Sequence, residues 1–220
     1  MAKSRRRTHK RTKRNRRSKQ KGGSVAPTFH IIIATGGRPT LKRMIDSLKG
    51  ELESGDAVTI IFDGPEARGK SGYEDSWIGG FKASIFTIDE VPNGGYWGHV
   101  VRNKYQGQLQ KSTTFVMNGD DDDVYIEGSF KNLRKICVDP QTLYIGKMTY
   151  ENNPGLIIPR QNETITESDI GTPNGIIPFD KAGLGQWGLK YNGDFEYYNT
   201  LKPNVKKIRF IDEVFYRVSK

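Results

Sequence analysis

The sequence predicts an α/β domain with a mostly parallel central sheet flanked by helices. Three observations carry that expectation. Short apolar runs rich in branched residues recur, as in strands buried on both faces. Between them lie segments with apolar residues at helical spacing. Gly- and Pro-containing turns separate the two kinds of segment.

The first strand is FHIIIA at 29–34. Gly36-Gly37 makes a turn, and Pro39 suits the first turn of a helix over 40–49. Leu41, Met44, Ile45 and Leu48 fall on one face of that helix, and Gly50 ends it. AVTIIFD (57–63) is the second strand and KASIFTI (82–88) the third. HVVRNKYQGQLQ (99–110) reads as a second helix, weakened by Gly107. TTFVMN (113–118) is the fourth strand and runs into Asp120-Asp121-Asp122-Asp123. GSFKNLRKICV (128–138) reads as a helix with Cys137 in the core, and TLYIGKM (142–148) returns as a strand. After 150 the pattern is irregular, with strand-like pieces at 156–158, 175–179 and 207–217. The polar stretch 161–175 reads as a loop.

The formal net charge of +10 suggests a nucleic-acid partner until it is located. Residues 1–21 hold twelve Lys/Arg and no acid, which leaves 23 bases against 25 acids elsewhere. The basicity belongs to a tail, so nucleic acid is a partner only through that tail. We expect a disordered basic tail over 1–24 and a single domain over 25–220. The tail reads equally as a nuclear address or as a solvated arm. No apolar run approaches the ~20 residues of a membrane span, and no signal-peptide pattern is visible. The expectation is a cytoplasmic protein with no transmembrane segment, in which the Asn162 sequon carries little meaning. One cysteine excludes an internal disulfide and a Cys-rich metal site.

Four adjacent aspartates repel one another, so stability is a poor reason for their presence. Ligands of open α/β sheets bind beyond the carboxyl ends of the strands, where this run falls. Oxygen-only ligands suit Mg²⁺ or Mn²⁺, held by one or two carboxylates plus substrate phosphates. The run lacks the Gly and Glu of an EF-hand loop. The bland alternative is a solvated acidic turn. In an extended segment Asp120 and Asp122 point the same way, one toward a ribose and the other toward a metal.

These pieces, in order, resemble the family 2 glycosyltransferases with the GT-A fold, over roughly residues 28–218. FHIIIATGGRPTLKRMIDSL looks like the family's opening strand, loop and helix. VTIIFDGPE is similar to the second strand, ending in an aspartate that contacts the nucleotide base, here Asp63. In NGGYWGHVVRNKYQ, Val101-Arg102-Asn103 stands where the family often reads Ala-Arg-Asn. FVMNGDDDDVYIEGSF is similar to the family's Asp-x-Asp-Asp stretch, which makes Asp120 and Asp122 the paired aspartates. NGDFEYYNTL resembles the acceptor-side Glu-Asp motif, with Asp194 as the matched base and Glu196 as its rival. IRFIDEVFYRVS resembles the closing strands. The compact form is also similar to small glycosyltransferases of large algal DNA viruses, whose setting would be the host cytoplasm.

The resemblance implies an inverting, metal-dependent transferase using Mn²⁺ or Mg²⁺. It implies a nucleotide-diphospho-sugar donor, with UDP the family's common choice, and a glycan or other hydroxyl acceptor. Thr35, Asp63, Arg102, Asp120 and Asp121 are the implied donor-binding residues, and Asp122 with Asp120 the implied metal ligands. Three departures stand out: Gly193 replaces the usual Glu, Asp121 and Asp123 add charge, and Gly36-Gly37 replaces a common Tyr-Asn.

Plainer readings stand beside these. Asp194 and Glu196 fit the first turn of a helix. Asp63 fits an Asx-turn with Gly64-Pro65. Arg102 fits either the donor diphosphate or an exposed helix face. His99 is more often structural. Trp97 and Trp187 fit sugar-stacking platforms or a packed core equally well. Two other functions compete: nucleic-acid binding through the arm, and a sugar nucleotidyltransferase, of which ATGGRPT is a faint echo.

Overall fold

In a computed structural model of the chain, residues 26–91, 93–160 and 164–219 are described. The expected tail, its Gly22-Gly23-Ser24 linker and the first two positions of the sequon lie outside the described residues.

Nine strands among them form one sheet. They are β1 (Phe29–Thr35), β2 (Ala57–Asp63), β3 (Ser84–Glu90), β4 (Phe115–Asp120), β5 (Val124–Tyr125), β6 (Thr142–Tyr150), β7 (Asn153–Ile158), β8 (Gly175–Pro178) and β9 (Lys207–Val218). The strand order is β3-β2-β1-β4-β8-β6-β9-β5, with β7 on β6. The ladders from β3 to β4 are parallel, as is the long β6–β9 ladder. The pairings of β8 with β4 and β6, and those of β5 and β7, are antiparallel.

All seven residues of β1 and of β2 are buried. Both faces of these strands are covered, which explains their unbroken apolar runs. The two-residue period of a strand sorts their side chains into two cores. Phe29, Ile31 and Ile33 pack with Leu41, Met44, Ile45 and Leu48 of α1 (Leu41–Leu48) and with Phe130 and Leu133 of α4 (Ser129–Ile136). Ile32 and Ala34 pack instead with Val101 of α3 (His99–Tyr105) and with Tyr197, Tyr198 and Leu201 of α5 (Gly193–Leu201). Each fully buried large apolar side chain contributes about 1.5–3 kcal/mol. Cys137 is buried in the first core, and burial pushes its thiol up to about 12.

Several bounds differ from expectation. The helix expected over 99–110 stops at Tyr105. The fourth strand extends through Asp120, taking the first aspartate into the sheet. One helix was not read from the sequence, α2 (Ala67–Ser71), and α5 appeared there only as the plainer reading of Asp194 and Glu196. Among the described residues no helix is long and apolar enough to cross a membrane.

Candidate active site

Thr35, Asp63 and Asp120 end three adjacent parallel strands, β1, β2 and β4. Ala34 pairs with Asp120 and Thr35 with Phe62. Thr35 and Asp120, far apart in the chain, thus share the carboxyl edge of the sheet, where ligands of such sheets bind.

Asp120 is gripped from α3. Arg102 Nη2 donates to Asp120 Oδ1 at 2.7 Å and to the Gly119 carbonyl at 3.0 Å. Its Nη1 donates to the Trp97 carbonyl at 2.9 Å, and the guanidinium lies 5.3 Å from the Trp187 ring centroid. Arg102 is fully buried, which rules out the exposed-face reading. Gly98, at φ 80°, makes this approach possible, because a Cβ there would stand 2.5 Å from the Ala34 Cβ. The Asp120 N–H donates to the Tyr216 hydroxyl of β9 at 2.8 Å.

The run does not continue as a strand. Asp121 and Asp122 form a turn, closed by the Asp123 N–H on the Asp120 carbonyl at 3.3 Å. The expectation that Asp120 and Asp122 alternate along an extended segment is therefore corrected. The carboxylates are held by different sets of partners, with Arg38 shared by Asp121 and Asp122. Asp121 accepts the Thr35 hydroxyl at 2.5 Å and Arg38 Nη1 at 3.3 Å. Asp122 pairs with the same Arg38 nitrogen at 2.5 Å, and its carbonyl accepts Arg43 at 2.6 Å. Asp123 accepts the Ser219 N–H at 2.9 Å, which ties down the end of β9. Burial raises the Asp121 carboxyl against the pull of Thr35 and Arg38. Burial, with Asp120 beside it, pushes Asp123 up to about 7.

Asp63 is buried and accepts the Gly94 and Gly95 amides at 2.6 and 3.1 Å. The Asx-turn with Gly64-Pro65 is not formed: its donor would be the N–H two residues on, which Pro65 lacks, and the carboxylate is taken by Gly94 and Gly95. Thr35 is also buried; its hydroxyl donates to Asp121 and accepts the Gly37 N–H at 3.0 Å. Both residues organise the loops around the cleft.

Asp194 lies in the first turn of α5, after Asn192 at the cap position. Burial pushes its carboxyl up to about 6; the Phe195 amide at 2.8 Å opposes the rise and the charge of Asp120 adds to it. Asp194 thus feels the charge of Asp120 at the carboxyl edge of the sheet. Glu196 forms an ion pair with Lys190. His99 is structural: Nδ1 donates to the Gly188 carbonyl at 2.7 Å and the ring stacks on Trp187 at 5.3 Å. Trp187 is 3% exposed and stacks on Tyr197 at 4.3 Å, so the core reading holds for it. Trp97 is exposed.

Arg38 and Tyr216 belong to the site and were not singled out in the sequence. Arg38 had one signal, a basic residue just after the first strand's Gly-Gly turn. Tyr216 had none, since it meets Asp120 across 96 residues.

Among the described residues no three His, Cys, Asp or Glu side chains converge as a preformed metal cage. Asp120 and Asp122 are partly exposed oxygen donors. That set fits a hard divalent cation which takes one or two carboxylates and completes its shell with water and phosphate.

No family model matches the chain, and a search of curated proteins finds no significant match. Solved structures do resemble it. TarS 1–349 from S. aureus superposes with a TM-score of 0.65 at 17% identity, over 87% of this chain and 60% of that one. A second structure of S. aureus TarS gives 0.67 at 15%, over 88% and 37%. Mannosyltransferase PcManGT from Pyrobaculum calidifontis, in complex with GDP-Man and Mn²⁺, gives 0.60 at 11%, over 90% and 57%. The chain therefore has the GT-A fold, and it spans at most 60% of the length of these neighbours.

Proposed function

We propose that the chain is an inverting glycosyltransferase that moves a sugar from a nucleotide-diphosphate donor to an acceptor hydroxyl. The observation that carries this reading is that Asp194, whose carboxyl burial raises to about 6, feels the charge of Asp120, the strand-end carboxylate that buried Arg102 fixes. A carboxylate of that basicity is ionised at neutral pH and still accepts a proton effectively. The GT-A neighbours support the reading, one of them carrying GDP-Man and Mn²⁺.

Asp122 and Asp120 would hold Mn²⁺ or Mg²⁺, which would supply charge neutralisation on the leaving diphosphate. Arg102 fixes the Asp120 carboxylate, and Asp121 orders the turn by tying it to Thr35. Asp63 orders the Gly94-Gly95 loop on the nucleoside side of the edge, where the resemblance places a base, uracil by preference. Asp194 takes the proton from the acceptor hydroxyl. That oxygen bonds to the anomeric carbon on the face opposite the diphosphate, as the bond to the diphosphate breaks.

The test is nucleoside diphosphate release from a panel of UDP- and GDP-sugars with Mn²⁺, with and without acceptor alcohols. Asp194→Asn should retain donor binding and lose transfer. Equal transfer in that variant would remove Asp194 from the mechanism.

A further inference from the structure

Two large aromatic side chains stand exposed beside the cleft. Trp97 is 59% exposed and Tyr191 76% exposed, and their rings meet edge to face with centroids 6.0 Å apart. They come from distant loops, yet the contact is built. Trp97 is held at φ 54° next to Tyr96 at φ 51°, a left-handed pair that non-glycine residues rarely adopt. Strain of this kind persists where the surrounding structure enforces it and gathers at functional sites. The enforcement is visible: Arg102 holds the Trp97 carbonyl, and His99 locks onto the Gly188 carbonyl. Gly193 packs so tightly here that a Cβ would stand 2.5 Å from the His99 ring nitrogen. Tyr191 is three residues before Asp194. Tyr150 lies within electrostatic reach of Tyr191, Asp123 and Asp194 together.

We propose that Trp97 and Tyr191 form the acceptor subsite and that the acceptor is a carbohydrate, whose ring rests on this pair with one hydroxyl directed to Asp194. The inference rests on the transferase reading for its reaction, and it adds the class of acceptor. A pyranose offers an apolar C–H face to an aromatic ring and a polar rim to neighbouring carboxylates and amides, and these two rings lie at the edge of such a polar cleft. A second copy of the chain fits poorly. Two side chains of at most ~250 Å² each fall short of the ~800 Å² per partner of a stable interface.

The test uses the full chain, which contains three tryptophans. Titrate methyl glucoside, methyl galactoside and methyl mannoside, with ribitol as a non-ring polyol, and follow tryptophan fluorescence. A saturable change with a pyranoside, absent in Trp97→Phe, is expected. In transfer assays Trp97→Ala and Tyr191→Ala should each raise the acceptor KM by about three- to tenfold and leave the donor KM in place, while Tyr191→Phe restores the acceptor KM. A fluorescence response without nucleotide-sugar turnover keeps the subsite and sinks the transferase reading. Turnover with no sugar response and an unchanged acceptor KM overturns the subsite alone. A dimer that Trp97→Ala converts to monomer, with no sugar response, also overturns it.

Discussion

The buried guanidinium of Arg102 spans two loops, donating to Asp120 Oδ1 at 2.7 Å and to the Trp97 carbonyl at 2.9 Å. One side chain from α3 therefore fixes the end of β4 and the approach to its own helix. Arg102→Ala should destabilise the fold by about 2–4 kcal/mol, through the cavity and the two orphaned carbonyls. Asp120 keeps access to water, so its charge adds little to that loss. Arg102→Lys keeps the charge without the planar fork and should fall between. Chemical denaturation checks both, and a loss under about 0.5 kcal/mol for the alanine variant would contradict the linkage.

In the proposed mechanism Asp194 sets the acid limb of the pH profile. Its carboxyl is raised by burial to about 6, and transfer needs the ionised form. The value of kcat/KM should rise about tenfold per pH unit below that point and level off above it. A profile flat from pH 5 to pH 7.5, as a range about the cited value, would assign the proton to another group.

Glu196 pairs with Lys190 at the surface. Such exposed pairs are worth about 0–1 kcal/mol. Glu196→Gln should therefore leave stability nearly unchanged and keep transfer within about threefold, a change worth under 1 kcal/mol of barrier. Loss of transfer on the scale of Asp194→Asn would exchange the roles of the two acids.

The legible parts of this fold are those set by local pattern. β1 and β2 are buried on both faces, so their apolar runs announce them, and Asp63 and Asp120 stand at strand ends for the same reason. The directions of the four aspartates were not legible. They are set by Arg38, Arg102 and Ser219, which reach them from other loops and strands. Only the first turn of α5 was legible, because aromatic residues crowd GDFEYYNTL and blur its polar face. The antiparallel insertion of β8 between β4 and β6 joins distant segments, which local periodicity does not report.

His30 offers a pH handle on stability away from the cleft. Burial lowers its pKa to about 4, and the ring bonds Thr59 at 2.7 Å and the Lys111 carbonyl at 3.2 Å. The folded value lies below the unfolded one, so the unfolded chain binds the extra proton. This contribution is complete above about 6.5 and is lost as pH falls toward 4. The shift corresponds to about 3 kcal/mol. His30→Gln should flatten the fall in unfolding free energy across that interval, measured by urea titration at several pH values. An unchanged slope would remove His30 as its source.

In the proposed mechanism the acidic turn captures a nucleoside diphosphate through a divalent cation. Calorimetric titration of UDP and GDP, with and without Mn²⁺, in the wild type and in Asp122→Ala is the decisive measurement. Binding should require Mn²⁺ and be lost in the variant, whose melting temperature stays near that of the parent. Binding that ignores Mn²⁺, or that survives Asp122→Ala unchanged, would contradict it.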